Sequence, residues 1–124
     1  MIDHVSIAVR DLARATAFYE AVLAPLGYGK LEVRPATVAF GKTYSEFWLN
    51  LRTGMQAHPD NSGLHVALRA ASIAAVDAFH AAALAQGGAS DGAPALRPQH
   101  GDGYYAAFIR DLDGNRIEAV TFVK

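Results

Sequence analysis

The tightest constraint on this chain is that it opens twice. "DHVSIAVRDLARATAFYEAVLAPLGY" starts at Asp3, and "GLHVALRAASIAAVDAFHAAALAQGG" runs from Gly63 to Gly88. Placing His4 on His65 sets an offset of 61 (65 minus 4) and also brings Phe18 onto Phe79 and Leu23 onto Leu84. A repeat of that period points to two copies of one supersecondary unit, each needing the other to bury its apolar face. In the first copy Val5, Ile7 and Val9 share one face of a strand, while Ile2, His4, Ser6 and Ala8 share the other. Asp11 then caps a helix whose apolar positions Leu12, Ala15, Phe18, Tyr19 and Val22 recur at helical spacing, until Pro25 and Gly27 stop it. In the second copy Val66 and Leu68 repeat the apolar strand face. Ser72 heads a helix carrying Ile73, Val76, Phe79, Ala83 and Leu84, ended by Gly87 and Gly88.

After each helix the texture changes to short β-prone runs: "LEVRPATVAFG" and "SEFWLNLR" in the first half, "YYAAFIR" and "RIEAVTFV" in the second. The last two flank "DLDGNR", an Asp-Gly hairpin signal. "TGMQAHPDNSG" reads as the link between halves, and "QGGASDGAPALRPQHGDG" as an irregular loop overhanging a site. One domain over residues 1–124 therefore divides into module 1 at about 1–53, a linker at about 54–62 and module 2 at about 63–124.

With 52% hydrophobic and 19% charged residues, the chain has enough apolar surface to offset its ordering entropy. Its 11 Lys and Arg and 12 Asp and Glu are scattered without a basic stripe, which argues against a nucleic-acid partner. The absence of cysteine excludes disulfides and thiolate metal sites, so any metal must rely on His, Asp, Glu or water. With no apolar run of about 18 residues and no leader-like start, a cytoplasmic protein without membrane association is the simplest expectation.

Together the two openings and "FIRDLDGNRIEAV" resemble the vicinal oxygen chelate superfamily, which includes glyoxalases, bleomycin-resistance proteins, fosfomycin-resistance proteins and extradiol dioxygenases. The resemblance covers nearly the whole chain. It implies an α+β fold of two βαβββ modules forming an eight-stranded cup, with the helices outside and a divalent metal on the concave wall. It also implies that His4, His65 and Glu118 are the metal ligands. The residues themselves agree, because both histidines lie on the strand face opposite the apolar positions. Glu118, between Ile117 and Ala119, needs a partner, either a cation at this site or a salt bridge with Arg110 or Arg116. Imidazole and carboxylate suit Fe, Mn, Zn, Ni or Co.

In "EFWLNLR" the sequence departs from the glyoxalase pattern. Trp48, or Asn50 if the register slips by two, stands where a further glutamate ligand belongs. Isomerisation needs a carboxylate there to move a proton, whereas two histidines and one carboxylate leave the open positions of a non-haem oxygenase. The expectation is a divalent-metal-dependent enzyme acting on a small oxygenated molecule, with a dioxygenase ranked before a glyoxalase-like lyase or isomerase. A ligand-sequestering protein of the bleomycin-resistance kind and a scaffold without turnover are the alternatives. The fosfomycin-resistance enzymes' Lys and Ser-rich anion-binding loop has no counterpart in "RPQHGDGYYAAF", so a phosphonate substrate is not expected. His100 and Tyr104 are the candidate catalytic groups, and Trp48, Asn50, Arg69 and Phe108 the candidate substrate contacts, with Tyr104, Ala106 and Phe108 on one face. His80 is read as covering a helix surface and His58 as solvated. The resemblance further implies a homodimer.

Overall fold

The computed structural model describes residues 1–124. Alternation fixes the first strand, β1 (Val5–Val9), which turns Ile7 and Val9 inward. Helix α1 (Leu12–Leu23) begins at Asp11, whose carboxylate accepts the Arg14 N–H at 3.1 Å. The chain leaves it through Gly27 at φ +86°, left-handed backbone that glycine adopts without strain. The strands β2 (Gly29–Val33), β3 (Thr37–Gly41) and β4 (Phe47–Leu51) complete the first unit. The second repeats the order with β5 (Val66–Arg69), α2 (Ile73–Ala85), β6 (Ala89–Leu96), β7 (Tyr104–Arg110) and β8 (Arg116–Phe122).

The result is α+β, with two four-stranded mixed sheets in the orders β1-β4-β3-β2 and β5-β8-β7-β6. In each, the first strand runs parallel to the last, pairing Ser6 with Trp48 and Ala67 with Glu118. No ladder joins the sheets, so β1, β2, β5 and β6 are edges. One core of 21 buried residues draws on both units, and the rings of Phe18, Tyr19 and Phe47 meet at 5.0 and 5.1 Å within it. The helices pack on the core faces. The opposite faces carry Ser6, Ala39 and Trp48 on one sheet and Ala67, Phe108 and Glu118 on the other.

The hairpin turn in "DLDGNR" does more than reverse the chain. Asp111 accepts the Tyr19 hydroxyl at 2.6 Å, the Asn115 side chain at 2.9 Å and the backbone N–H groups of Asp113 and Asn115. Arg10 pairs with Asp113 at 2.8 Å, and Asn115 also donates to the Ala8 carbonyl at 3.0 Å. A turn of the second unit is thereby clasped to β1 and α1 of the first.

Two readings of the sequence are corrected. The segment expected to be an overhanging loop contains β6, which pairs with β7 despite two register shifts, and a short 3-10 turn at Pro98–His100. Gly92 and Pro94 are turn formers that an irregular edge strand accommodates. His80 is buried rather than covering the helix: it is 9% exposed and 2.8 Å from the Ser90 hydroxyl, where burial lowers its pKa. The buried stripe of α2 is Val76, Phe79, His80 and Ala83, and Leu84, aligned by the repeat with buried Leu23, faces out.

Candidate functional site

Strand β8 places Ile117 and Ala119 in the core and Glu118 on the opposite face, yet Glu118 is only 2% exposed. A carboxylate so enclosed needs partners. Tyr104, on the neighbouring β7, donates its hydroxyl to Oε2, and Nε2 of His65, just before β5, lies 3.1 Å from Oε1. Arg110 and Arg116, the alternative partners, are engaged elsewhere: Arg110 with Asp60 at 2.6 Å and Arg116 with Asp91 at 3.3 Å. Burial, the hydrogen bond and the charge of Glu118 push the Tyr104 phenol up to about 12, so it stays a donor at neutral pH.

Aromatic residues surround this centre. Phe108 is the direct cross-strand neighbour of Glu118, and its ring lies 6.4 Å from that of His65. Phe122 meets Tyr104 edge-on at 5.3 Å, and exposed His100 approaches Tyr104 at 5.4 Å. The Arg69 guanidinium lies 4.8 Å over Phe122, and that of Arg97 lies 5.3 Å over Phe108. Ala106 and Val120, on the rung that the Tyr104 side chain crosses to reach Glu118, are buried between the rings. His65, Tyr104, Phe108, Glu118, Arg69 and His100 thus belong to one neighbourhood.

The first unit's candidates lie elsewhere. Trp48 and Asn50 share the open face of the other sheet, with Arg34 5.1 Å over the Trp48 ring. The register decides between them: Ser6 and Ala67 are repeat-related (67 minus 6 is 61), and their partners are Trp48 and Glu118. Trp48, not Asn50, is therefore the counterpart of Glu118. His4 is half-exposed and bonded to the Asp3 carboxylate at 2.8 Å. It lines, with His65, Tyr28 and Glu46, an open cleft of about 470 Å³ at β1 and β5. No three His, Asp or Glu side chains of one chain converge.

The donor set nonetheless fits half of a divalent-cation site. A separation of 3.1 Å between His65 and Glu118 matches two donors each about 2.1 Å from one ion at a near-right angle. Sequence reasoning did not find the Tyr104–Glu118 bond, for which the only signal was the pairing of two strands of unknown register. It also missed the polar clasp around Asp111, since Asp-Gly looked like turn chemistry alone.

A doubled βαβββ unit with an imidazole and a buried carboxylate side by side on an open sheet face defines the class: a two-module α+β protein with a small polar centre. The sequence pattern of the Glyoxalase/Bleomycin resistance protein/Dioxygenase superfamily matches residues 1–119, and the chain belongs to that superfamily. A glyoxalase/bleomycin resistance protein from Albidiferax ferrireducens T118 is 31% identical, with 95% of each chain covered and a TM-score of 0.81. A glyoxalase/bleomycin resistance protein/dioxygenase family enzyme from Burkholderia phytofirmans PsJN shares the fold at 20% identity, 98% coverage of both chains and a TM-score of 0.74. The genomically encoded fosfomycin resistance protein FosX from Listeria monocytogenes shares it at 17% identity, 99% and 93% coverage and a TM-score of 0.72. Among curated proteins none matches.

Proposed function

We propose that this chain is a divalent-metal-dependent enzyme acting on a small molecule with two adjacent oxygens, and that it acts as a dioxygenase. The observation that supports this reading is the buried Glu118 carboxylate held beside His65, with Tyr104 behind it. His65 and Glu118 hold the metal, and His4 is the third ligand. When bound, a divalent ion of the Fe, Mn, Zn, Ni or Co group supplies Lewis acidity and a template for two substrate oxygens. Tyr104 keeps its proton on the bond to Glu118, fixing which carboxylate oxygen faces the ligand. Phe108 and Phe122, on either side of the Tyr104–Glu118 bond, keep water from it. His100, next to Tyr104, is the exchangeable proton carrier at the rim.

The presence of Trp48 at the counterpart of Glu118 favours oxygenase over isomerase chemistry, because no second carboxylate is there to move a proton between carbons. Trp48 and Asn50 serve as substrate wall instead. Since His4 stands apart from the other two donors and four strand edges are free, we assign the working form as a homodimer in which a second copy completes the cup.

The test is metal analysis after reconstitution with Fe(II), Mn or Zn. Wild-type protein retains about one ion per chain and a His65→Ala, Glu118→Ala double variant loses it. Equal retention by both refutes the site. With the site loaded, oxygen uptake with ring-cleaved product supports the dioxygenase. Turnover without oxygen uptake supports a lyase or isomerase, and tight binding without conversion supports sequestration.

A further inference from the structure

His65 stands where the backbone does not hold it. The chain from Arg52 to His65 forms no helix or strand, and Gly63, Leu64 and His65 make no backbone hydrogen bond. Leu64 is exposed, and Ser62, Leu64, His65 and Arg116 line a cavity of about 20 Å³, so close packing does not clamp the segment there either. From Val66 onward the ladder to β8 fixes the chain. On the other side it is fixed at Asp60, by two guanidiniums.

Arg116 donates through Nη2 to the Asp60 carbonyl, and Arg110 donates through Nη1 to the Asp60 carboxylate at 2.6 Å. The two bonds are unequal. The Asp60 carboxylate is 85% exposed, where an ion pair holds weakly and is screened by salt. The Arg116 side chain is only 24% exposed, and its Nη1 is held 3.3 Å from Asp91, so its planar fork reaches the Asp60 carbonyl from a fixed position. Glu118 lies two residues further along the same strand, about 6.7 Å away and on the same face. Strand β8 therefore grips the segment 60–65 at two points: at Asp60 through Arg116, and at His65 through Glu118.

We propose that Arg116 is a positioning residue: by holding the linker at Asp60 it sets the His65 imidazole on Glu118. For metal affinity this rests on the reading above; for the His65–Glu118 contact it does not. Charge and position predict opposite signs. Removing a positive charge so near a cation site strengthens cation binding through charge alone, whereas freeing His65 weakens it.

Two measurements on wild type, Arg116→Met and Arg116→Lys test this: calorimetric titration with zinc, and the nuclear Overhauser contact between the His65 and Phe108 rings in metal-free protein. Those ring centroids are 6.4 Å apart, and wild type is expected to show the contact. Arg116→Met keeps the aliphatic stem. With its circular dichroism unchanged, it is expected to lose the contact and to bind zinc about tenfold or more weakly. Arg116→Lys, which has the charge but not the fork, loses part of both. A contact absent from wild type or unchanged in Arg116→Met overturns the assignment, as does zinc affinity in Arg116→Met equal to or tighter than that of wild type. If Arg116→Met does not fold, Arg116→Lys decides, and both readouts unchanged from wild type overturn the assignment. If His65→Gln binds zinc as wild type does, the metal reading fails and the ring contact alone decides: its loss in Arg116→Met upholds the assignment, and its persistence overturns it.

Discussion

Replacing Tyr19 by Phe removes one oxygen from the clasp between the units and leaves the packing volume almost unchanged. The lost bond is 2.6 Å long and runs from a fully buried hydroxyl to a carboxylate that is itself buried. Hydrogen bonds to charged groups contribute about 1.5–3 kcal/mol. Asp111 keeps three other donors, so the loss falls in the lower part of that range, about 2 kcal/mol, or a drop in melting temperature of about 6–10 °C for a domain of this size. Tyr105→Phe is the control: it deletes a bond of nearly the same length, 2.7 Å to Asp77, but at the surface, and costs less than about 0.5 kcal/mol.

The pH dependence sharpens the test. Burial raises the Asp111 pKa above its ordinary 3.8, against the hydrogen bonds from Tyr19 and Asn115 that lower it. The folded state therefore takes up this proton before the unfolded chain does. Between 3.8 and the raised folded value this residue adds stability as pH falls, and that contribution disappears as pH rises through the folded value. Below the folded value the bond from Tyr19 meets a neutral acid, so the cost of Tyr19→Phe is largest at neutral pH and shrinks as pH falls through that value. Tyr19 itself is raised well above 10 and remains a donor throughout. Chemical denaturation of both variants at neutral and acidic pH reads this directly. A Tyr19→Phe cost equal to that of Tyr105→Phe, or one that grows as pH falls, refutes the reasoning.

Gly103→Ala places a Cβ 2.0 Å from the Val123 carbonyl oxygen at a residue with φ +69°, and is expected to cost about 2–3 kcal/mol in denaturant melts. Because Gly103 precedes Tyr104, the same variant should loosen the Tyr104–Glu118 bond and weaken metal retention. The homodimer should appear in light scattering as twice the 13.2 kDa chain mass. A monomer at micromolar concentration with intact metal retention removes the dimer and, with it, the role of His4, leaving His65 and Glu118 as the metal ligands.

Periodicity carried much of the fold. β1 and β5 follow from alternation, and α1 from a cap, a stripe and a stop, because local rules and burial agree there. β6 was hidden because Ala89–Leu96 contains Gly, Pro and Asp, and it becomes a strand only through the outer ladder groups of β7. The outward turn of Leu84 was hidden because α2 is apolar nearly all round, leaving no stripe to orient it. At the site, the strand faces of His4, His65 and Glu118 were legible from parity. Which of them meet depends on how two sheets without a common ladder are set against each other, which parity does not encode.

The register of β4 carries the most functional weight among the features that were not legible, since a slip of two exchanges Trp48 for Asn50 without changing the face. The parallel ladder removes that freedom: buried Leu49 meets buried Ile7, buried Phe47 meets Val5, which packs partly buried against the core, and Trp48 then lies opposite Ser6. A slip by one would turn buried Phe47 and Leu49 outward and put Trp48 and the polar Asn50 inside, so the hydrophobic pattern enforces this parity. The two units thereby carry the same backbone place with opposite chemistry. One has a carboxylate enclosed by His65 and Tyr104; the other has an indole under an arginine. A protein with glutamate at both places would carry a carboxylate on each open sheet face, whereas this chain carries one at that place on the second sheet only.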